Sequence, residues 1–148
     1  MNVEKEINIL LIEDNLGDIR LIQEVLKDSI HSHSLNIVND GEQAIQYLKR
    51  ENKYTDAVVP NLIFLDLNLP KKDGREVLAE IKGSDNLRFI PVVIFSSSEA
   101  EKDIQKSYDL HANCYVVKPF DFNQFSQVIE SIQNFWLSIV KLPGYHAS

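Results

Sequence analysis

Five short apolar runs separated by helix-periodic stretches constrain this chain more than any other feature. "INILLI" (7–12), "NLIFLD" (61–66), "PVVIFS" (91–96) and "CYVVK" (114–118) are continuous rather than alternating, the pattern of strands buried on both faces of a parallel sheet. A weaker run, "SLNIVN" (34–39), fits an edge strand. Between the runs, apolar residues recur at helical spacing: Leu16, Ile19, Ile22, Val25 and Leu26; Ala44, Ile45 and Leu48; Val77, Leu78 and Ile81; Ile104 and Tyr108; and Phe122, Phe125, Ile129, Ile132 and Trp136. Each set is one buried helical face. Five alternations of strand and helix predict an α/β domain with a parallel sheet covered on both sides.

With 148 residues, the expectation is one domain over 1–148, its core spanning about 7–139, with a short C-terminal extension. The formal charge of −7 argues against binding nucleic acid or an anionic membrane non-specifically. A single cysteine, Cys114, excludes an internal disulfide and fits a reducing cytoplasm. The start "MNVEKEINILLIEDN" lacks the basic region of a signal peptide, and no apolar stretch approaches a membrane span. Cys114 reads as a small buried hydrophobe, His31 and His33 as solvated loop residues, and Gly41 and Gly74 as turn residues near helix starts.

In an open parallel sheet, chemistry gathers beyond the carboxyl ends of the strands, where the strand order reverses. The runs deliver Glu13 and Asp14, Asp66, Ser96 and Lys118 to that rim. Three carboxylates repel one another unless a cation sits among them, and hard oxygen donors with water completing the shell suit Mg²⁺. Lys118 adds a positive charge and Ser96 a hydrogen-bond donor. Together they could stabilise a transferring phosphoryl group attacked by one carboxylate, with Asp66 the candidate nucleophile.

The motifs "LIEDN", "LIFLDLNLPKKDG", "VVIFSSSEA" and "YVVKPF" strongly resemble the receiver domain of two-component response regulators, from about residue 7 to about 139. The resemblance implies a flavodoxin-like sheet of order 2-1-3-4-5. It implies that Glu13 and Asp14 are the acid pair and that Asp66 accepts phosphate from a sensor histidine kinase. Asp14 and Asp66 would bind Mg²⁺ with the main-chain carbonyl of Asn68, and Lys118 is the family-type lysine. Ser96 matches the switch hydroxyl and Tyr115 the aromatic that moves with it, while Lys118-Pro119 matches a cis bond. Glu at 13 and Ser at 96 depart from the commoner Asp and Thr but keep the needed groups. "NLPKKDGREVLAEIK", "YDLHANCYVVK" and "FWLSIVKLP" look more narrowly like the small stand-alone regulators that partner cyanobacterial phytochromes.

Rival readings are weaker. An aspartyl-phosphate phosphatase needs a second acid two residues after its nucleophile, where this chain has Asn68, and no glycine-rich phosphate loop is present. The alternative within the family is a degenerate receiver acting as an interaction module, disfavoured because every phosphorylation group is present. Such a regulator assists its own phosphorylation and dephosphorylation without turning over a free substrate. Ser97 or Ser98 is expected to cap the fourth helix. The last helix carries Phe135, Leu137, Ile139, Val140 and Leu142 beyond its core stripe, more apolar surface than one contact covers. This predicts a partner surface, most simply a homodimer.

Overall fold

In the computed structural model, which describes residues 6–29 and 32–144, the apolar runs become five parallel strands: β1 (Ile7–Ile12), β2 (His33–Val38), β3 (Leu62–Leu65), β4 (Val92–Ser96) and β5 (Cys114–Val117). Their order is β2-β1-β3-β4-β5. Every residue of β3 and β4 is buried, whereas β2 and β5, at the edges, are largely half-buried. Three of the four continuous runs are therefore central strands, while the fourth, "CYVVK", expected to be buried on both faces, forms the half-buried edge strand β5 opposite the weaker run in β2. Five helices follow the strands: α1 (Leu16–Lys27), α2 (Gly41–Lys49), α3 (Gly74–Gly83), α4 (Glu101–Asp109) and α5 (Phe122–Gln133).

Because side chains alternate across a strand, each central strand feeds two cores. Leu10, Ile12, Ile63, Leu65 and Ile94 face α2 and α3, while Ile9, Leu11, Leu62, Phe64, Val93 and Phe95 face α1 and α5. Full burial of each such side chain stabilises the fold by roughly 1.5–3 kcal/mol, enough for these faces to determine the wrapping. Four of these five helices start at side-chain caps: Asn15, Asp40, Asp73 and Asp121 accept from the amides of Asp18, Gln43, Arg75 and Gln124. No helix among the described residues is long and apolar enough to cross a membrane.

Several expectations need correction. Ser97 and Ser98 do not occupy the cap position of α4, which is Ala100. The Ser98 hydroxyl instead accepts from the Ala100 amide and donates to Asp103. On α4 only Ser107 is fully buried; Ile104 is half-buried and Tyr108 exposed. Leu16 and Phe122, the first residues of α1 and α5, are also exposed. Cys114 is half-buried on its edge strand, and His33 opens β2 half-buried rather than lying in a loop, while His31 lies outside the described residues.

Gly41 and Gly74 have ordinary negative φ and are required by close approach instead. A Cβ on Gly41 would meet the Lys72 carbonyl oxygen at 2.0 Å, and one on Gly74 would meet that of Asp66 at 2.4 Å. The Lys118–Pro119 bond is trans, as is every peptide bond among the described residues; X–Pro isomers differ too little in energy for sequence to decide between them. The final helix is not one continuous rod. After α5, residues Asn134–Ile139 form a π-helical turn, which rotates Leu137 into the core and leaves Phe135 and Ile139 exposed. Trp136 and Leu142 pack partly against the same core.

Candidate functional site

Strand register assembles the site. Ile12 pairs with Leu65 and Ser96 with Val117, so the residues that follow β1, β3 and β5 emerge side by side on one rim. The Asp66 amide donates to the Ile12 carbonyl and the Lys118 amide to the Ser96 carbonyl, at 3.0 and 2.8 Å. The chain leaves β1 and β3 on opposite sides, because β2 lies beyond β1 and β4 beyond β3. A cleft opens at that reversal, as the geometry of open α/β sheets requires, and Asp14, Asp18, Asp66, Asn68, Ser97 and Lys118 line it with Asn15, Pro119, Phe120 and Phe125.

Lys118 is the hub. Its ammonium donates to Glu13 Oε1 at 2.5 Å, to Asp18 Oδ2 at 2.8 Å and to Asp66 Oδ2 at 3.3 Å, and it lies 5.8 Å from the centre of the Phe95 ring. Glu13, Asp66 and Lys118 are all buried, which would be costly for isolated charges and is tolerated because they are paired. Burial opposes the charge on Lys118, but hydrogen bonds to Asp18 and Glu13 and the charges of Glu13 and Asp66 outweigh it and push its pKa up. Glu13 is pushed up to about 7, by burial first and then by the Asp66 charge. Its second oxygen, Oε2, accepts from the Asp14 and Asn15 amides, fixing the turn that leads into α1.

Three carboxylates therefore hold one ammonium, and a fourth, Asp14, lies beside Glu13 and Asp66. The ligand oxygens of Glu13, Asp14 and Asp66 lie within 4.8 Å of one another, and Asp14 is exposed to the cleft. An all-oxygen set with excess negative charge fits a hard divalent cation such as Mg²⁺. Asn68 is exposed beside Asp66, and its amide donates to Asp66 Oδ1 at 3.3 Å. The close approach at Gly74 seats the start of α3 against the Asp66 and Leu67 backbone, and the Gly74 amide donates to the Leu67 carbonyl at 2.9 Å.

Ser96 and Tyr115 lie farther back. Ser96 is fully buried at the end of β4 and its hydroxyl accepts from the Ser98 amide at 3.3 Å; Ser97 is the β4 neighbour that lines the cleft. The half-buried Tyr115 donates its hydroxyl to the Ser98 carbonyl at 2.8 Å. Two site residues escape the sequence reading. Asp18 is an acid in the first turn of α1, the pattern of a helix-dipole partner, and Asn39 supports Glu13 by donating to its carbonyl at 3.1 Å. An acid three residues after the cap Asn15 was the available signal for the first; nothing local marks the second.

A family model described as "response regulator receiver domain" matches residues 9–130. Response regulator Rcp1 of Synechocystis sp. is 50% identical over 136 residues, 92% of each chain. The crystal structure of the Mn²⁺-bound form of Rcp1 superposes with a TM-score of 0.91 at 49% identity, covering 93% of this chain and 99% of that one. That of the phosphorylated cyanobacterial phytochrome response regulator RcpA gives 0.92 at 52% identity, covering 95% and 100%. On this likeness of sequence and fold, joined to the acidic cleft at the β1–β3 reversal, the chain belongs to the response regulator receiver domains and is related to the phytochrome response regulators.

Proposed function

We propose that this protein is the phosphoacceptor of a sensor histidine kinase of the phytochrome type and that Asp66 carries the phosphoryl group. The observation that bears most weight is the Lys118 ammonium bound at once to Asp66, Glu13 and Asp18 at the cleft floor. In the transfer, a carboxylate oxygen of Asp66 forms a bond to phosphorus as the bond from phosphorus to the kinase imidazole nitrogen breaks. The electron pair stays on that nitrogen. Glu13, Asp14, Asp66 and the Asn68 carbonyl would hold Mg²⁺. When bound, that ion neutralises the charge that accumulates as an anion enters an acidic cleft. Lys118 holds Asp66 in place and offers its protons to a phosphoryl oxygen. Kinship with a phosphorylated phytochrome regulator and with a Mn²⁺-bound one supports the assignment.

The output is a change in protein contacts. A phosphoryl group on Asp66 attracts the Ser96 hydroxyl, and Tyr115, tied to the Ser98 carbonyl, follows. Helix α4, whose one buried residue is Ser107, shifts most readily, a bias between two packings. The exposed Phe135 and Ile139, beside the groove formed by Cys114, Val116, Val128, Ile132, Trp136 and Val140, form the homodimer surface. Incubation with acetyl phosphate and Mg²⁺ tests the acceptor: intact mass should rise by one phosphoryl group in the wild type and not in Asp66→Asn. Equal labelling of the Asn variant refutes the assignment. A phosphotransfer profile against candidate histidine kinases should show the fastest transfer from a phytochrome-type kinase.

A further inference from the structure

Asp18 is the part of the cleft that neither carries the phosphoryl group nor belongs to the proposed metal set. It sits on the first turn of α1, its amide held by the cap Asn15 at 3.0 Å, and its carboxylate takes a Lys118 proton at 2.8 Å, closer than Asp66 at 3.3 Å. An ammonium has three protons, and Glu13, Asp18 and Asp66 are its three acceptors among the described residues. Lys118 is therefore saturated. For it to reach an oxygen of an incoming phosphoryl group, one acceptor must let go.

The three are not equally able to do so. Glu13 is 1% exposed, and its other oxygen anchors the Asp14 and Asn15 amides. Asp66 is the group being modified and stays where β3 puts it. Asp18 is the most accessible of the three, its side chain 21% exposed, and no other hydrogen bond to its carboxylate is found among the described residues. It also lines the cleft by which the anion enters. Released from Lys118, it can turn to solvent at the lowest desolvation cost.

We infer that Asp18 is a positioning residue that acts through Lys118, occupying in the resting state the ammonium proton that the phosphoryl group claims. It holds the lysine over the acidic floor and competes with the phosphodonor anion for it, which keeps spontaneous phosphorylation by small donors low. This rests on the assignment of Asp66 as acceptor. Replacing Asp18 with Asn or Ala removes the competitor and one negative charge at the cleft mouth; both effects favour anion entry.

The test uses the full chain at saturating Mg²⁺, with acetyl phosphate as the probe and intact mass as the readout of initial rates. Asp18→Asn and Asp18→Ala should lower the half-saturating acetyl phosphate concentration about tenfold, the scale of one charge-assisted hydrogen bond, with a smaller change in maximal rate. Asp18→Glu, which restores the competing carboxylate, should return the half-saturation toward wild type. Asp28→Asn, removing one charge from the far end of α1, should leave it unchanged and so separates local competition from net charge. A merely structural Asp18 would lower the melting temperature and the maximal rate without lowering the half-saturating concentration. That result, or an unchanged half-saturation in Asp18→Asn with a reactive wild type, overturns this inference alone. A wild type that gains no phosphate on Asp66 overturns the acceptor assignment and this inference with it.

Discussion

At the scale of single residues, the two glycines at opposite ends of α3 make opposite predictions. Gly74 opens α3 under the Asp66 and Leu67 backbone, where an added Cβ would lie 2.4 Å from the Asp66 carbonyl oxygen. Its nearest neighbours there are main-chain atoms of Asp66 and Leu67, which cannot swing aside as a flexible side chain can. Gly74→Ala should therefore lift the start of α3, displace Asp66, cost roughly 1–3 kcal/mol of stability and slow phosphorylation by acetyl phosphate. Gly83, at the other end of the same helix, has nothing within 4 Å of the site of a Cβ. Gly83→Ala should be neutral or stabilise by up to about 1 kcal/mol, since alanine restricts the unfolded chain and favours the helix. Chemical denaturation of both variants, with acetyl phosphate labelling alongside, checks the pair; equal effects would remove the close approach as the reason for glycine at 74.

Among the elements, α4 is the one held chiefly by polar ties. Arg75 at the start of α3 donates to Asp103 Oδ1 at 2.7 Å, and the Ser98 hydroxyl donates to Asp103 Oδ2 at 2.6 Å. The Ser98 hydrogen bond first, then that of Arg75, holds the Asp103 carboxyl below the usual carboxylate range. A folded-state pKa below the unfolded one means that this contribution is complete at neutral pH and is lost as pH falls through the folded value. Protection of α4 amides against hydrogen exchange, corrected for intrinsic rates, should thus fall below about pH 4 in the wild type. Asp103→Asn should show reduced protection already at pH 7 and little further change. Equal pH profiles in the two proteins would show that Asp103 does not tie the helix. This element also marks the limit of sequence legibility. Strands β1, β3 and β4 were readable because burial on both faces leaves a continuous apolar run, and the paired ends of those runs carried Glu13, Asp66 and Ser96 to one rim. Helix α4 was readable as a helix but not in its packing, since its fully buried residue is a serine. Asp18 is not legible as a site residue because a helix-opening acid has a sufficient local explanation; its link to Lys118, a hundred residues away, exists only in the folded chain. The π-helical turn was hidden by an apolar spacing that a continuous α-helix would also satisfy.

For the molecule as a whole, the remaining question is what covers the apolar end that follows α5. By sequence Phe135, Leu137, Ile139, Val140 and Leu142 exceed the reach of one core contact, yet the π-helical turn buries Leu137, and Leu142 packs partly against the same core. What stays exposed is Phe135, 49% accessible, and Ile139, 63% accessible, with the Phe135 ring edge-on to Trp136 at 5.5 Å. The adjacent groove runs to Cys114 and Val116 of the edge strand β5, so the apolar surface is continuous across helix, turn and sheet edge rather than a scatter of single side chains. Contiguous patches of this kind mark interfaces, and a twofold dimer, in which each copy offers the same patch, is the simplest closed arrangement. Charges placed there act on association without touching the buried residues. Sedimentation at tens of micromolar should find the wild type dimeric. Phe135→Glu and Ile139→Glu should each shift it to monomer while leaving acetyl phosphate labelling of Asp66 and the melting temperature at low protein concentration close to wild type. Because β5 also carries Tyr115, beryllofluoride with Mg²⁺ should change the dimerisation constant of the wild type and have no effect on that of Tyr115→Ala. A wild type that remains monomeric with and without beryllofluoride would refute the self-association surface and leave the patch to a different protein.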